Sequence, residues 1–335
     1  MTFEPRDKVM IDPTMIGPMI DQLYASVLGR GADPVGYDFY VSEVTSGRLS
    51  IRNVAQAIVA SEEFAEVFGY RPPKSVTVIS DGNVFILPPS SVLEHELASP
   101  QGYEPWVLPY FCDMCQEGMT VLDIGASWGA FTLPASRRVG DRGRVFAIEA
   151  SARNCKILQN NIWENGLTNV EVLPFGVSDG VGAAVAIGNY AENNATVRPL
   201  GSRINLNSPE FSIVPLIPID VLLPRLGKVD LVKIDIEGME YRALMGGMAL
   251  FRANKPIIFL EYSPAFQQAG SGVEGRYLLI LLHMLGYQLE ILHRNRDREL
   301  LDRDSMAKTI DLIDAAWKRH VDEDSGTHLD LCAHP

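Results

Sequence analysis

The sequence has little cysteine, little positive charge and no long apolar run. Four cysteines (Cys112, Cys115, Cys155 and Cys332) among 335 residues are too few for a disulfide framework, which points to a reducing, cytoplasmic setting. Cys112 and Cys115 form a lone CxxC. A structural zinc would need a second pair and a redox motif a thioredoxin-like context, so these read as two thiols on an amphipathic helix. The N-terminal stretch MTFEPRDKVMIDP has no apolar h-region. The longest apolar stretch, residues 278–285, is broken by His283 and falls well short of the roughly 20 residues of a spanning helix. Neither a standard secretory signal nor a transmembrane segment is expected. With 29 Lys and Arg against 42 Asp and Glu, the net charge of -13 opposes attraction to phosphate backbones or anionic lipid. Nucleic acid is not an expected partner.

What is present suits an ordinary globular chain, 47% apolar and 21% charged, with length for about two domains. No internal repeat or low-complexity tract interrupts it. Residues 18–70 carry apolar positions at helical spacing (Ile20, Leu23, Tyr24, Val27, Leu28; Tyr37, Phe39, Tyr40, Val44; Val54, Ile58, Val59), with breaks at 29–34 and 45–50. Ser61 suits the N-cap of a last short helix, SEEFAEVF, and Arg71-Pro72-Pro73 ends the segment. A small all-α domain of about four helices over residues 1–74 is the expectation.

SVTVISDGNVFILPP, residues 75–89, reads as two strands around Asp81-Gly82-Asn83, a hairpin signal, with a helix over 103–116 to follow. Residues 75–120 thus lead into a third segment, 121–335, of alternating strands and helices. Strands are expected at 120–124, 144–148, 169–174, 231–236 and 256–261, and a closing pair at 287–292 and 328–332. Ser151 is a candidate N-cap and Asn165-Gly166 a helix stop. Seven strands at this spacing predict a doubly wound, Rossmann-like α/β sheet.

In such sheets ligands sit beyond the carboxyl ends of the strands. The first strand ends in Asp123-Ile-Gly125-Ala126-Ser127-Trp-Gly129, where glycines permit a tight turn and close approach of backbone to a ligand. The second ends in Glu149 and Ala150, with Glu149 placed 26 residues after Asp123, and its carboxylate can accept both hydroxyls of a ribose. The third ends in Phe175-Gly176-Val177-Ser178-Asp179, a small-residue loop suited to a flat base. The fourth and fifth end in Asp235 and Glu261. Three chemistries fit the first turn. GASWG is formally the nucleophile elbow of an α/β-hydrolase, with Ser127 the nucleophile and Asp235 and His283 or His293 in the right order, although no HGGG run precedes it. GASWGA lacks the second glycine of a dinucleotide fingerprint. The third chemistry is an S-adenosylmethionine site.

VLDIGASWGAFTL, GRVFAIEAS followed by Asn154, Leu158, Asn161 and Asn165, VDLVKIDIEGMEYRALMGG and PIIFLEYSP together resemble an FkbM-type methyltransferase over residues 103–335. The family usually has Asn where Ser127 stands. The resemblance implies a class I methyltransferase sheet and S-adenosyl-L-methionine as cofactor. Asp123 and the turn of Gly125, Ala126, Ser127 and Gly129 would hold its methionine end, Glu149 and the adjoining Ala150 its ribose, and Gly176 and Val177 its adenine. Asp123, Asp235 and Glu237 would also favour a cationic sulfonium. Each carboxylate has a structural reading as well: Asp123 a turn cap, Glu149 a helix N-terminal charge, Glu240 a solvated helix residue.

The acceptor that the resemblance implies is a hydroxyl of a sugar, glycan or natural product, which must lose a proton. Asp235 is the first candidate base, Glu237 the second and His283 a third. No local ligand cluster argues for a metal. Residues 24–64 resemble a helical domain of unknown function related to phycobilisome linkers, in which Tyr24, Tyr37, Phe39, Tyr40 and Phe64 read as core before they read as a sugar platform. It carries no catalytic constellation, and docking to a protein or glycan is the role left to it. A non-catalytic scaffold with a degenerate methyltransferase fold is the remaining alternative.

Overall fold

The computed structural model describes residues 13–49, 51–59, 61, 63, 75–188, 195–199, 210–303, 305–324 and 327–335. Two compact units divide the chain, Met1–Lys74 and Ser75–Pro335. The first contains helices Pro13–Leu28, Pro34–Thr45 and Ile51–Val59. Asp33 starts the second of these: its side chain accepts the Gly36 N–H at 2.9 Å while Pro34 fills the first turn, where a missing N–H costs nothing. Ile16, Ile20, Tyr24, Val54 and Ile58 form the core. Tyr37 and Tyr40 pack against that core, whereas Phe39 is 54% exposed. The helix expected after Ser61, with Phe64, lies almost wholly outside the described residues.

The second unit opens with the hairpin β1 (Val76–Ser80) and β2 (Asn83–Leu87). Asp81 and Gly82 have φ of 46° and 73°, the paired left-handed conformation of a turn whose twist matches the strands. Helices Val92–Ala98 and Leu108–Met114 follow. The second is shorter than the 103–116 expected, because Gly102 and Glu104 turn at φ of 79° and 38° and Pro109 sits in the first helical turn.

The central sheet contains β3 (Thr120–Ile124), β4 (Arg144–Ile148), β5 (Val170–Leu173), β10 (Leu231–Ile234), β11 (Ile257–Tyr262), β12 (Gln288–Leu292), β13 (Arg298–Leu300) and β14 (Leu329–His334). Its order is β13-β12-β14-β11-β10-β3-β4-β5. The five strands from β5 to β11 run parallel and β14, β12 and β13 are antiparallel. Eight strands replace the expected seven; the extra one, β13, is three exposed residues whose composition carries no strand signal. A separate four-stranded sheet in the order β6-β9-β7-β8 was not anticipated: β6 (Gly176–Val177), β7 (Gly182–Gly188), β8 (Ala195–Pro199) and β9 (Glu210–Ile217).

From β3 the chain moves outward through β4 and β5, then returns to place β10 on the other side of β3. That reversal opens a crevice between β3 and β10 at their carboxyl ends. Parallel strands covered on both faces are apolar throughout, and in β3 Val121, Leu122 and Ile124 are all buried. Asp123 and Lys233, paired across β3 and β10 and both buried, are the exceptions.

Candidate functional site

The exceptions lie beside a cleft of about 860 Å³ including its open mouth. Asp123, Gly125, Ala126 and Ser127 after β3, Glu149 and Ala150 after β4, Gly176 and Val177 of β6, and Asp235 and Glu237 after β10 all line it. Gly129 turns the chain behind this wall. Its φ is 99°, and a Cβ there would stand 2.4 Å from Leu133 and 2.8 Å from Leu158.

Backbone packing dictates the glycine turn. Gly125 has φ of 88°, and a Cβ on it would meet the carbonyl oxygen of Asp235 at 1.7 Å, so only glycine lets β3 and β10 approach this closely. Ser127 also lies in the left-handed region, at φ 48°, a conformation that Asn tolerates better than Ser. Its N–H donates to Glu149 Oε2 at 2.8 Å, and the Ser151 N–H donates to Oε1 at 2.7 Å. Glu149 therefore ties the ends of β3 and β4 together. Burial pushes its carboxyl up to about 7 despite those two donors and a further hydrogen bond from the Asn154 side chain. Burial likewise pushes Asp123 up to about 6, against the Thr132 hydroxyl that donates to Asp123 Oδ2 at 2.5 Å. Two buried carboxylates poised near neutrality suit a cationic, hydroxyl-bearing ligand.

A polar stripe runs along the neighbouring strand ends. Lys233 is 1% exposed and its Nζ lies 3.3 Å from Asp235 Oδ2, with no hydrogen-bond partner closer to ideal geometry. Burial opposes its charge, but Asp235, Glu104, Glu261 and Asp330 together outweigh that and raise its pKa. Carboxylate oxygens of Glu104, Asp235 and Glu261 all lie within 4.8 Å of one another. Burial raises Glu104 and Glu261 in turn. Lys233 and Glu104 escaped the sequence reading, since a strand lysine reads as exposed and Glu104 falls in irregular chain. Alternation along LVKID was the available signal, because residues two apart share a sheet face.

The remaining candidates separate. Glu240 is buried and structural: Oε1 accepts the N–H groups of Ile236 and Gly238, both at 3.1 Å, and Oε2 accepts from Gln267 at 2.6 Å. It clamps the loop that carries Asp235 and Glu237. His283 does not reach the cleft. Its helix, Arg276–Met284, turns Leu278, Leu279, Leu281 and Leu282 into the core, which leaves His283 lining a different hollow with Tyr287 and Asp302. His293 stands beside Glu299 at 3.3 Å, also away from the cleft. No histidine among the described residues lines the cleft, so the Ser, Asp, His order of a hydrolase is not assembled around Ser127. Cys112 and Cys115 are buried and unbonded within an apolar cluster, and burial pushes Cys112 up to about 11. They pack, as two thiols of a helix should.

Comparisons with known proteins accord with this geometry. Residues 123–289 match the family model of the methyltransferase FkbM domain, and residues 17–68 match a domain of unknown function, DUF4214. A curated relative, the 23S rRNA (uracil(1939)-C(5))-methyltransferase RlmD of Acinetobacter baylyi, is 40% identical over 67 residues, 19% of this chain and 14% of that protein. The chain thus matches about a seventh of that relative's length. Among solved structures, a methyltransferase FkbM from Methylobacillus flagellatus is 14% identical with a TM-score of 0.41, over 93% of this chain and 58% of that one. Fibrillarin of Aeropyrum pernix, solved with natively bound S-adenosyl-L-methionine, is 11% identical with a TM-score of 0.39, over 80% of this chain and 85% of that one. The sheet that carries the cleft is doubly wound, with β14 antiparallel to β11.

Proposed function

The chain carries an FkbM methyltransferase domain that uses S-adenosyl-L-methionine, and from that premise we propose that it is an O-methyltransferase acting on a hydroxyl of a sugar, glycan or natural product. One observation carries the reading. Glu149, at the end of β4, is anchored by the backbone of the glycine turn that follows β3, beside the point where the sheet reverses, in a cleft that Asp235 also lines.

The residues present fit the cofactor. Glu149 offers a carboxylate in the cleft wall to a ribose, Ile148, Phe175 and Val177 offer apolar wall to a base, and Asp123 and Asp235 offer negative charge to a sulfonium. When bound, S-adenosyl-L-methionine supplies a methyl group already activated by its positive sulfur. The protein's own task is to place an acceptor oxygen in line and to take its proton. Asp235 is the base in this account. Lys233, beside it, holds a positive charge against the carboxylates of the stripe, and Glu261 behind Asp235 gives the proton a further acceptor. Glu237, at φ 54°, faces the same space as a second candidate. Four cysteines, all buried and none in a disulfide, support a reducing, cytoplasmic setting. No helix among the described residues is long and apolar enough to cross a membrane.

Mass spectrometry of glycans and small metabolites from cells with and without the gene tests the acceptor class. A species lighter by one methylene is expected when the gene is absent, and identical profiles would count against it.

A further inference from the structure

A second cleft, about 680 Å³ including its open mouth, reverses the charge of the molecule around it. His293, Arg294, Arg319, His320 and His328 line it, and among the described residues Asp330 is its one carboxylate. In a chain with a net charge of -13, so basic a hollow marks a place built for negative charge. Asp330 is buried; its Oδ2 accepts the Trp106 indole N–H at 2.7 Å and stands 3.9 Å from His328 Nε2, so it is engaged with those groups rather than with the arginines. Arg294 is held by the face of that same indole, 5.1 Å from guanidinium to ring, which leaves its in-plane N–H groups to the cleft. Neither Arg294 nor Arg319 forms an ion pair among the described residues, while His293 meets Glu299 at the rim.

The floor of this cleft belongs to the polar stripe. His328 Nε2 lies 3.4 Å from Glu261 Oε1, and the carboxylates of Glu261 and Asp235 are neighbours within 4.8 Å. Asp235 in turn lines the cofactor cleft. A run of side chains thus joins the proposed base to His328, which lines the same cleft as Arg294 and Arg319, and guanidinium groups present the forked donors that oxyanions accept.

We propose that this second cleft is an anion subsite for the acceptor, holding a phosphate or carboxylate group of the molecule whose hydroxyl is methylated at Asp235. The proposal rests on the methyl-transfer reading for its role and on Arg294 and Arg319 for its chemistry. Uncharged sugars lack the group that this cleft selects.

Isothermal titration of the full-length protein at constant ionic strength, with inorganic phosphate, with glucuronate and with neutral glucose, tests it. Saturable binding of phosphate, glucuronate or both is expected, with none for glucose; phosphate alone identifies a phosphorylated acceptor and glucuronate alone a carboxylated one. Losing two charge-assisted contacts in the double variant Arg294→Gln/Arg319→Gln should weaken anion binding about tenfold or more, and both sites are exposed enough for the fold to tolerate the change. Absence of saturable anion binding to the wild type, or equal binding to wild type and double variant, would overturn the proposal. S-adenosylhomocysteine titrated into the same samples should bind both proteins alike. Its failure with the wild type, phosphate binding being retained, would remove the methyl-transfer reading and leave the anion site standing.

Discussion

If, as proposed, Glu149 holds the cofactor and Asp235 takes the acceptor's proton, substitutions at the two should have different signatures. Asp235→Asn keeps shape and removes the base, so kcat should fall about 10²–10⁴-fold with cofactor affinity nearly unchanged; a fully active variant would remove Asp235 from that role. Protonation offers a second test at the same scale. A hydroxyl donates about twice as strongly to an ionised carboxylate as to a neutral acceptor, and Glu149 is held at about 7. Cofactor affinity measured by calorimetry should therefore drop as pH falls through 7. The stability of the ligand-free protein should move the other way. Glu149 titrates at about 7 folded against an ordinary value of 4.5, so its contribution is complete below 4.5 and lost as pH rises through 7. The difference in melting temperature between wild type and Glu149→Gln should therefore shift toward the variant as pH rises from about 4.5 to about 7 and level off above it; a pH-independent difference across that window would contradict the buried, proton-binding state.

Between elements, the packing of β3 against β10 depends on one missing side chain. Gly125→Ala forces a Cβ into the Asp235 carbonyl at φ 88°, and strain plus overpacking should cost about 3 kcal/mol in denaturant unfolding. A variant of unchanged stability would mean that the strand ends are looser than described. The elements that bear this contact were the most legible in the sequence. Thr120–Ile124 and Arg144–Ile148 stand where their short apolar runs, closed by Asp-Ile-Gly and Glu-Ala-Ser, placed them. β7 and β9 were not legible, because GAAVAIG is built of small residues and EFSIVPLI contains Pro215, which argues against a strand. Helix Val92–Ala98 did leave a trace: Ser91 accepts the Glu94 N–H and Glu94 accepts the Ser90 N–H, a capping pattern written in SSVLE. Most of the cofactor wall was readable from strand ends. Glu261 was readable in the same way, but the groups around it were not, since Glu104, His328 and Asp330 come from segments far apart in the sequence, the last two brought beside it by the antiparallel return of β14 along β11.

At the scale of the molecule, two compact units separate a helical segment without a catalytic constellation from a unit that contains every residue of the cleft. Deleting residues 1–74 should leave S-adenosylhomocysteine affinity within about twofold; if acceptor affinity and oligomeric state are untouched as well, docking through the helical unit is ruled out. The acidic excess of the whole chain now has an internal structure, carboxylates gathered around Lys233 at the strand ends and an island of Arg and His beyond them. Calorimetric titration of S-adenosylhomocysteine into the wild type and into Glu149→Ala bears most directly on the central claim, that the crevice between β3, β4 and β10 is the cofactor site. Saturable binding to the wild type, abolished in a variant that remains folded, is predicted. Unchanged affinity in Glu149→Ala would contradict it.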